Sequence, residues 1–326
     1  MVSKSPKRVV VITHTGDVHV PYVEKYFQSP FTIIDPAKIP LGIDLSFESD
    51  MKHQGVVLYN GERLDDIGAV WYRKPPKIAE MDIPVVEAHR TYSIDVLDRF
   101  VGLLRSAFDD AFWLSDFYAI IRTEKKSYQQ VLAVRNGFLI PDNVITSSSE
   151  VVRDFYKKHE HVVVKTLAMG VNPNSKIAPY PLHPTVQVKF EDLNLSGLEL
   201  APAIFQEAIR AVADIRVTVV GDEVFAAEYR DKGLRGREAV RDHRITHLFR
   251  ADTRHEVHIL PDTLYKQCIE LVKNCGLQFG AIDLVLDKDG RYWFLEINAN
   301  GQWAFIEDET GQPIGRALAD LLKCNI

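Results

Sequence analysis

The sequence predicts an α/β (α+β) protein built from several lobes, and three observations carry that prediction. Short runs rich in valine, isoleucine and aromatics, such as Arg8 to Ile12 and His161 to Lys165, alternate with segments of helical period such as Val85 to Phe108. The chain has 326 residues, enough for two or three lobes rather than one core. Near the C-terminus, Phe279 to Trp303 reads as two apolar β runs joined by the turn Asp287-Lys288-Asp289-Gly290, with glycine where φ > 0 is needed.

Composition excludes several classes. At 46% hydrophobic and 26% charged residues, the chain is an ordinary soluble globular protein. A net charge of −6 argues against a general nucleic-acid or membrane binder. No segment approaches the roughly 18 apolar residues of a membrane span. The basic residues of MVSKSPKRVVVIT precede an apolar run too short for a signal peptide, so this run is read as a first strand. The three cysteines, Cys268, Cys275 and Cys324, have neither zinc-site nor disulfide-framework spacing, and a reducing cytoplasm is the simplest compartment.

In chain order, a first lobe over 1–114 is expected to hold strands at Arg8–Ile12, Phe31–Ile34, Gly55–Tyr59 and Ala69–Tyr72. A long helix over Val85–Phe108 should place Ile94, Leu97, Val101 and Leu104 on one face. Arg73 follows Val70-Trp71-Tyr72 and precedes Lys74-Pro75-Pro76. It is either an anion-binding guanidinium or a solvated strand end.

A second lobe is expected over 115–200. A helix over Arg122–Asn136 would carry Lys125 and Lys126 in its first turn, where the dipole disfavours cations. Either a bound phosphate relieves that conflict or the two lysines are solvated. Ser147 to Glu150 fits a capping box for a helix through Lys158. Lys165 ends a buried strand and projects where phosphate ligands sit. The stretch from Ala168 to Pro184 is rich in Gly, Pro, Asn and Ser and reads as a functional loop or lid, without P-loop spacing.

A third lobe is expected over 201–326. Phe205-Gln206-Glu207-Ala208-Ile209 reads as a strand crossing between lobes, a hinge able to meet an adenine edge, with Asp214 one turn on for a ribose hydroxyl. Ile215–Val220 and Glu223–Glu228 form a hairpin about Gly221-Asp222, from which Arg216 projects. Arg230 to Arg254 is arginine-rich and suited to phosphates and an acidic substrate. Pro261 opens an amphipathic helix that Gly276 closes, and a last helix runs from about Pro313 to Leu322. Within the terminal hairpin, Asp283 interrupts an apolar strand, and a buried unpaired carboxylate is costly. Antiparallel pairing brings it close to Glu296 and Asn298, three hard oxygen ligands suited to Mg²⁺ with substrate phosphates. The alternative is an ordinary hairpin with solvated polar ends.

The order of these residues resembles the ATP-grasp ligases. It is closest to those that mature ribosomal peptides, the microviridin-type or graspetide macrocyclases. The motifs are Ile12-Thr13-His14-Thr15-Gly16-Asp17, Val70-Trp71-Tyr72-Arg73, Lys126-x-x-Gln129, Glu191-Asp192-Leu193, Phe205-Gln206-Glu207 with Ile215-Arg216, Phe279-Gly280-Ala281-Ile282-Asp283, and Phe294-Leu295-Glu296-Ile297-Asn298 with Gly301-Gln302-Trp303. Together they span nearly the whole chain. Two departures are Ala299, where the family has proline, and Asp242-His243-Arg244, where it has Asp-Trp-Arg.

The resemblance implies an ATP-grasp fold with an N-terminal pre-ATP-grasp domain and two ATP-clamping lobes. ATP would lie between those lobes, with Lys126 and Lys165 on its phosphates and Gln206, Glu207, Ile209 and Asp214 on its nucleoside. Mg²⁺ would sit on Asp283, Glu296 and Asn298. Arg216, with Arg244 and Arg73, would orient the reacting carboxylate. The partner implied is a precursor peptide, leader plus core, whose leader would meet an acidic hairpin carrying Glu191 and Asp192 and would order the lid. A homodimer is a further family expectation. Rival readings are a ligase for small molecules or protein tails, and a non-catalytic nucleotide- and peptide-binding module. Ester or amide linkage stays open, with a lean to ester.

Overall fold

A computed structural model describes residues 7–49, 55–76, 78, 83–167, 186–229 and 254–326. The expected lid, Arg244 and nearly all of the arginine-rich stretch lie outside the described residues.

The first sheet is parallel, in the order β2-β1-β6-β7, formed by β1 (Arg8–Ile12), β2 (Thr32–Ile34), β6 (Ile67–Tyr72) and β7 (Phe112–Leu114). A separate small antiparallel sheet of β3 (Leu45–Glu48), β4 (Val56–Tyr59) and β5 (Glu62–Arg63) packs beside it through Val57. Strand alternation divides its contacts. Val10, Ile12 and Val70 face the end of the long helix α2 (Glu87–Ala107), with Leu104 and Phe108. Val9, Val11, Ala69 and Trp71 face the other way, toward α1 (Val20–Glu24) and the chain's last helices. Only Leu104 of α2 is fully buried, so much of this helix rides on the surface.

Where one helix over Arg122–Asn136 is predicted, there are two, α3 (Phe117–Thr123) and α4 (Lys126–Arg135). Asp116 caps α3 by accepting from Ala119 N–H at 2.9 Å. Lys125 is extended between them and starts α4 with no side-chain cap. The central sheet, β10-β9-β11-β8, is antiparallel and comprises β8 (Asn143–Thr146), β9 (Val162–Thr166), β10 (Val186–Gln187) and β11 (Ala203–Glu207). Helix α5 (Ser149–Lys158) covers it with Val152 and Phe155. Its cap is Ser148, one residue later than the expected box, because the Thr146 hydroxyl takes Ser148 N–H at 2.9 Å.

The C-terminal sheet is antiparallel in the order β14-β13-β12-β15-β16. Its strands are β12 (Ala211–Val220), β13 (Glu223–Tyr229), β14 (His255–Val257), β15 (Phe279–Asp287) and β16 (Tyr292–Asn298). The tight turn before β16 places Gly290 at φ 80°, as its sequence predicts. On one face lie α3, α4 and α6 (Asp262–Asn274), packing Ile120, Leu132 and Leu271 against Ile215, Ile282 and Ile297. On the other face lie α7 (Ala304–Thr310), which the sequence did not predict, and α8 (Ile314–Lys323).

Two placements differ from expectation. Strand β11 pairs with β8 and β9, so it belongs to the central sheet rather than opening the third lobe. Helices α3 and α4 pack on the C-terminal sheet, although they precede the central one in sequence. Cys268 and Cys275 are buried and Cys324 is exposed.

Candidate active site

The site is a row across three adjacent strands. Arg216 of β12 lies opposite Asp283 of β15, which lies opposite Glu296 of β16. Residues directly opposite share one face of a sheet, and Asn298 joins them two residues beyond Glu296. The flanking Ile282, Leu284 and Ile297 turn to the opposite face and are buried under α6. Alternation therefore explains how acids sit inside apolar strands without entering the core.

The side chains converge as the row requires. The Arg216 Nε lies 3.1 Å from Asp283 Oδ1. The Asn298 amide nitrogen donates to Glu296 Oε1 at 3.1 Å and to Asp283 Oδ2 at 3.3 Å. From α4, Lys126 Nζ donates to Glu296 Oε2 at 2.7 Å. Burial pushes the Glu296 carboxyl up, but the Lys126 charge and hydrogen bond, helped by Asn298 and Lys165, hold it well below the usual carboxylate range. A deprotonated Glu296 beside Asp283, with one amide oxygen available on Asn298, is a hard oxygen donor set that fits Mg²⁺. The buried Arg216 Nη1 has no hydrogen-bond partner among the described residues and so retains donor capacity for an anion.

Gln129 explains how Lys126 is aimed. One turn along α4, its amide nitrogen donates to Thr123 O (2.7 Å) and Ile297 O (2.9 Å), while its oxygen accepts Ile297 N–H (3.2 Å). It is buried and ties α4 to β16. The Lys126-x-x-Gln129 spacing was visible in the sequence, but the bond across 168 residues was not.

Lys165 projects from β9 and donates to Gln206 Oε1 at 2.6 Å, so the expected phosphate lysine and hinge glutamine meet. Past Gln206, the Glu207 N–H donates to Asp142 O (2.8 Å) and the Ala208 N–H to His161 O (2.9 Å). Ile209 follows, outside the strand. Asp214 is not a helical turn further on. It lies within β12 between Tyr229 and Val285, on the same face as Arg216, because β13 and β15 extend the ladder that far.

Two expectations are corrected. Arg73 is neither solvated nor open to a cleft. It is 2% exposed, its two terminal nitrogens meet Asn300 O (2.7 Å) and His19, and its Nε has no hydrogen-bond partner among the described residues. Glu191 and Asp192 are exposed but belong to a short 3₁₀ turn, Phe190–Asp192, rather than a hairpin. Leu193, Leu195 and Leu198 pack onto the core beneath α5, so no second strand forms.

The fold is that of the ATP-grasp ligases. Residues 190–322 match the RimK-like ATP-grasp domain. The whole chain is similar in structure to the macrocyclase MdnC from Microcystis aeruginosa MRC, solved with precursor peptide MdnA. That match has a TM-score of 0.83 and 26% identity, covering 97% of this chain and 99% of that one. A RiPP-associated ATP-grasp ligase from Chryseobacterium gregarium, in complex with ADP and a leader and core peptide, shares the fold at TM-score 0.83 and 24% identity, covering 98% of each chain. The D-alanine–D-alanine ligase from Bacillus anthracis, complexed with ATP, shares it more distantly, at TM-score 0.55 and 14% identity, covering 99% of this chain and 96% of that one. No curated protein sequence matches the chain.

Proposed function

We propose that this protein is an ATP-dependent macrocyclase of a ribosomally made precursor peptide. The observation that carries the reading is end-to-end similarity to a macrocyclase solved with its precursor peptide. The Arg216–Asp283–Glu296–Asn298 row and its two lysines supply the chemistry such an enzyme needs.

In this reading Asp283, Glu296 and Asn298 would hold Mg²⁺, which would supply charge neutralisation for the nucleotide phosphates. Lys126 leaves Glu296 to grip a phosphate, and the uncapped start of α4 adds its backbone donors. Lys165 grips a second phosphate. The Glu207 and Ala208 N–H groups are already bonded within the central lobe, so the adenine edge is left to Ile209 and the hinge carbonyls. Asp214 takes a ribose hydroxyl.

A peptide Asp or Glu carboxylate attacks the γ-phosphorus and ADP leaves, giving an acylphosphate. Arg216 holds that carboxylate and then the oxyanion, as a forked guanidinium suits both. Arg244 is proposed as a second such arginine. A Ser or Thr hydroxyl, or a Lys amine, of the same peptide attacks the acyl carbon. It loses its proton and phosphate departs, so the peptide loses one water per ring. The exposed Glu191 and Asp192 are proposed to pair with a basic residue of the leader, and the enzyme is proposed to act as a homodimer.

The test is the intact mass of the precursor peptide after incubation with enzyme, ATP and Mg²⁺. Loss of one or more waters, abolished in Asp283→Ala, is the expected result. Release of ADP with unchanged peptide mass would move the assignment to a ligase of small molecules or protein tails. Resistance of the ring to mild base would assign an amide rather than an ester.

A further inference from the structure

Three motifs that the proposed chemistry leaves without a task meet in one buried polar cluster. They are Thr13 to Asp17 with the adjacent His19, Val70 to Arg73, and Gly301 to Trp303. Asp17, His19 and Arg73 are 8%, 3% and 2% exposed. Asp17 accepts from the Thr13 hydroxyl at 2.8 Å, from His19 N–H at 3.0 Å and from His19 Nδ1 at 2.8 Å. The Arg73 Nε lies 3.8 Å from Asp17, and its Nη2 lies 3.1 and 3.3 Å from the two His19 ring nitrogens.

The cluster reaches across to the loop that follows the metal-ligand strand. Arg73 Nη1 donates to Asn300 O at 2.7 Å. The Trp303 N–H donates to His19 Nε2 at 3.2 Å, which leaves the ring proton on Nδ1, facing Asp17. Turned with its nitrogen inward, the Asn300 amide donates to Tyr72 O at 2.9 Å. Trp303 is fully buried, edge-on to His19 at 5.2 Å. At Gly301 a Cβ would come within 2.3 Å of Ala281 Cβ, so the loop lies directly against β15.

A buried ion pair is a poor source of stability compared with apolar packing, and here the surroundings, including Trp71, Val20 and Trp303, are already apolar. What the polar cluster adds is direction, because its bonds to Asn300 O and from Trp303 N–H each fix one backbone group of the loop. We propose that Asp17, His19 and Arg73 are positioning residues that hold the Ala299–Trp303 loop, and through it the Glu296–Asn298 end of β16, in the geometry a bound cation requires. The N-terminal domain thereby completes a metal site to which it contributes no ligand. This rests on the reading that Asp283, Glu296 and Asn298 hold a divalent cation.

The test uses Mn²⁺ as a spin probe, titrated into the full-length protein with ADP and followed by electron paramagnetic resonance. It is paired with hydrogen exchange of the 300–303 amides. Arg73→Lys keeps the charge and loses the fork. His19→Phe keeps the ring and loses both nitrogens. Val57→Ala, a core change elsewhere in the same lobe, controls for general destabilisation. Groups behind metal ligands typically carry about 10–100-fold in metal affinity. Both cluster variants are therefore expected to weaken Mn²⁺ binding by at least about tenfold. Their 300–303 amides should exchange faster while metal-free ADP binding is retained, and Val57→Ala should leave Mn²⁺ affinity unchanged. Should Arg73→Lys fail to fold, His19→Phe decides alone. Wild-type Mn²⁺ affinity and exchange in the folded cluster variants would overturn the inference. So would an equal loss in Val57→Ala. Failure of the wild type itself to bind Mn²⁺ with ADP would overturn the cation reading, and the inference with it.

Discussion

Lys126 donates to Glu296 and is proposed to exchange it for a phosphate, so its removal should be felt first in binding. Lys126→Ala is expected to weaken ADP binding, measured by calorimetry, by about 10–100-fold, the value of one charged hydrogen bond. Arg216→Lys should separate from it. Nucleotide affinity should hold while turnover falls, since an ammonium cannot replace a fork. Gly301→Ala must displace Ala281 or the loop, with a Cβ contact of 2.3 Å, and should cost about 1–3 kcal/mol in chemical denaturation. The Asp283, Glu296 and Asn298 group was legible because it is local. A tight turn sets the register, and period 2 sets the face. The enclosure of Arg73 was not, since its partners His19 and Asn300 lie 54 and 227 residues away. A strand-end arginine looks the same in sequence whether it is solvated or walled in.

The hairpin of β15 and β16 carries its own acid sensitivity. Burial pushes the Asp287 carboxyl up, but donors from Trp293 and Arg291 overcome this and hold it at about 2, below its ordinary 3.8. The unfolded chain therefore binds the proton more readily. The stabilisation from this group is fully present above about pH 4 and is lost as pH falls toward about 2. Trp293→Phe removes the 2.9 Å donor to Asp287. It should raise the midpoint of acid unfolding, followed by circular dichroism, and cost about 1 kcal/mol at neutral pH. Elements with strong local patterning were read well, including β1, the terminal hairpin and the helix before it. Failures came where tertiary contacts decide. The break between α3 and α4 has no proline or glycine to announce it, and α7 is one short turn-rich segment fixed by its packing against His255 and α1. The acidic 190–200 segment alternates enough to look like a hairpin, yet its leucines serve the core under α5.

At the scale of the molecule, the apolar clusters divide unevenly. The central sheet and α5 share a small core of their own around Val152, Phe155 and Phe205. The first sheet and the C-terminal sheet do not separate in this way. Val9, Val11 and Trp71 share one cluster with Phe279, Trp303, Ile314 and Leu318. Calorimetry should accordingly resolve the central lobe as a weaker transition or find its amides exchanging first, with the outer lobes unfolding together. A fragment lacking 1–114 should be recovered unfolded or aggregated, because it exposes the apolar faces of α7, α8 and β15 at once. The same cluster has a consequence in time. Strand β1 and helix α8 pack into one core although about 300 residues separate Ile12 from Ile314, so during synthesis β1 waits for α8. At about 5–20 residues per second, that is a delay of roughly 15–60 s. During that delay the apolar face of β1 lacks its partners Phe279, Trp303, Ile314 and Leu318, and it is then that a nascent chain of this design most needs a chaperone.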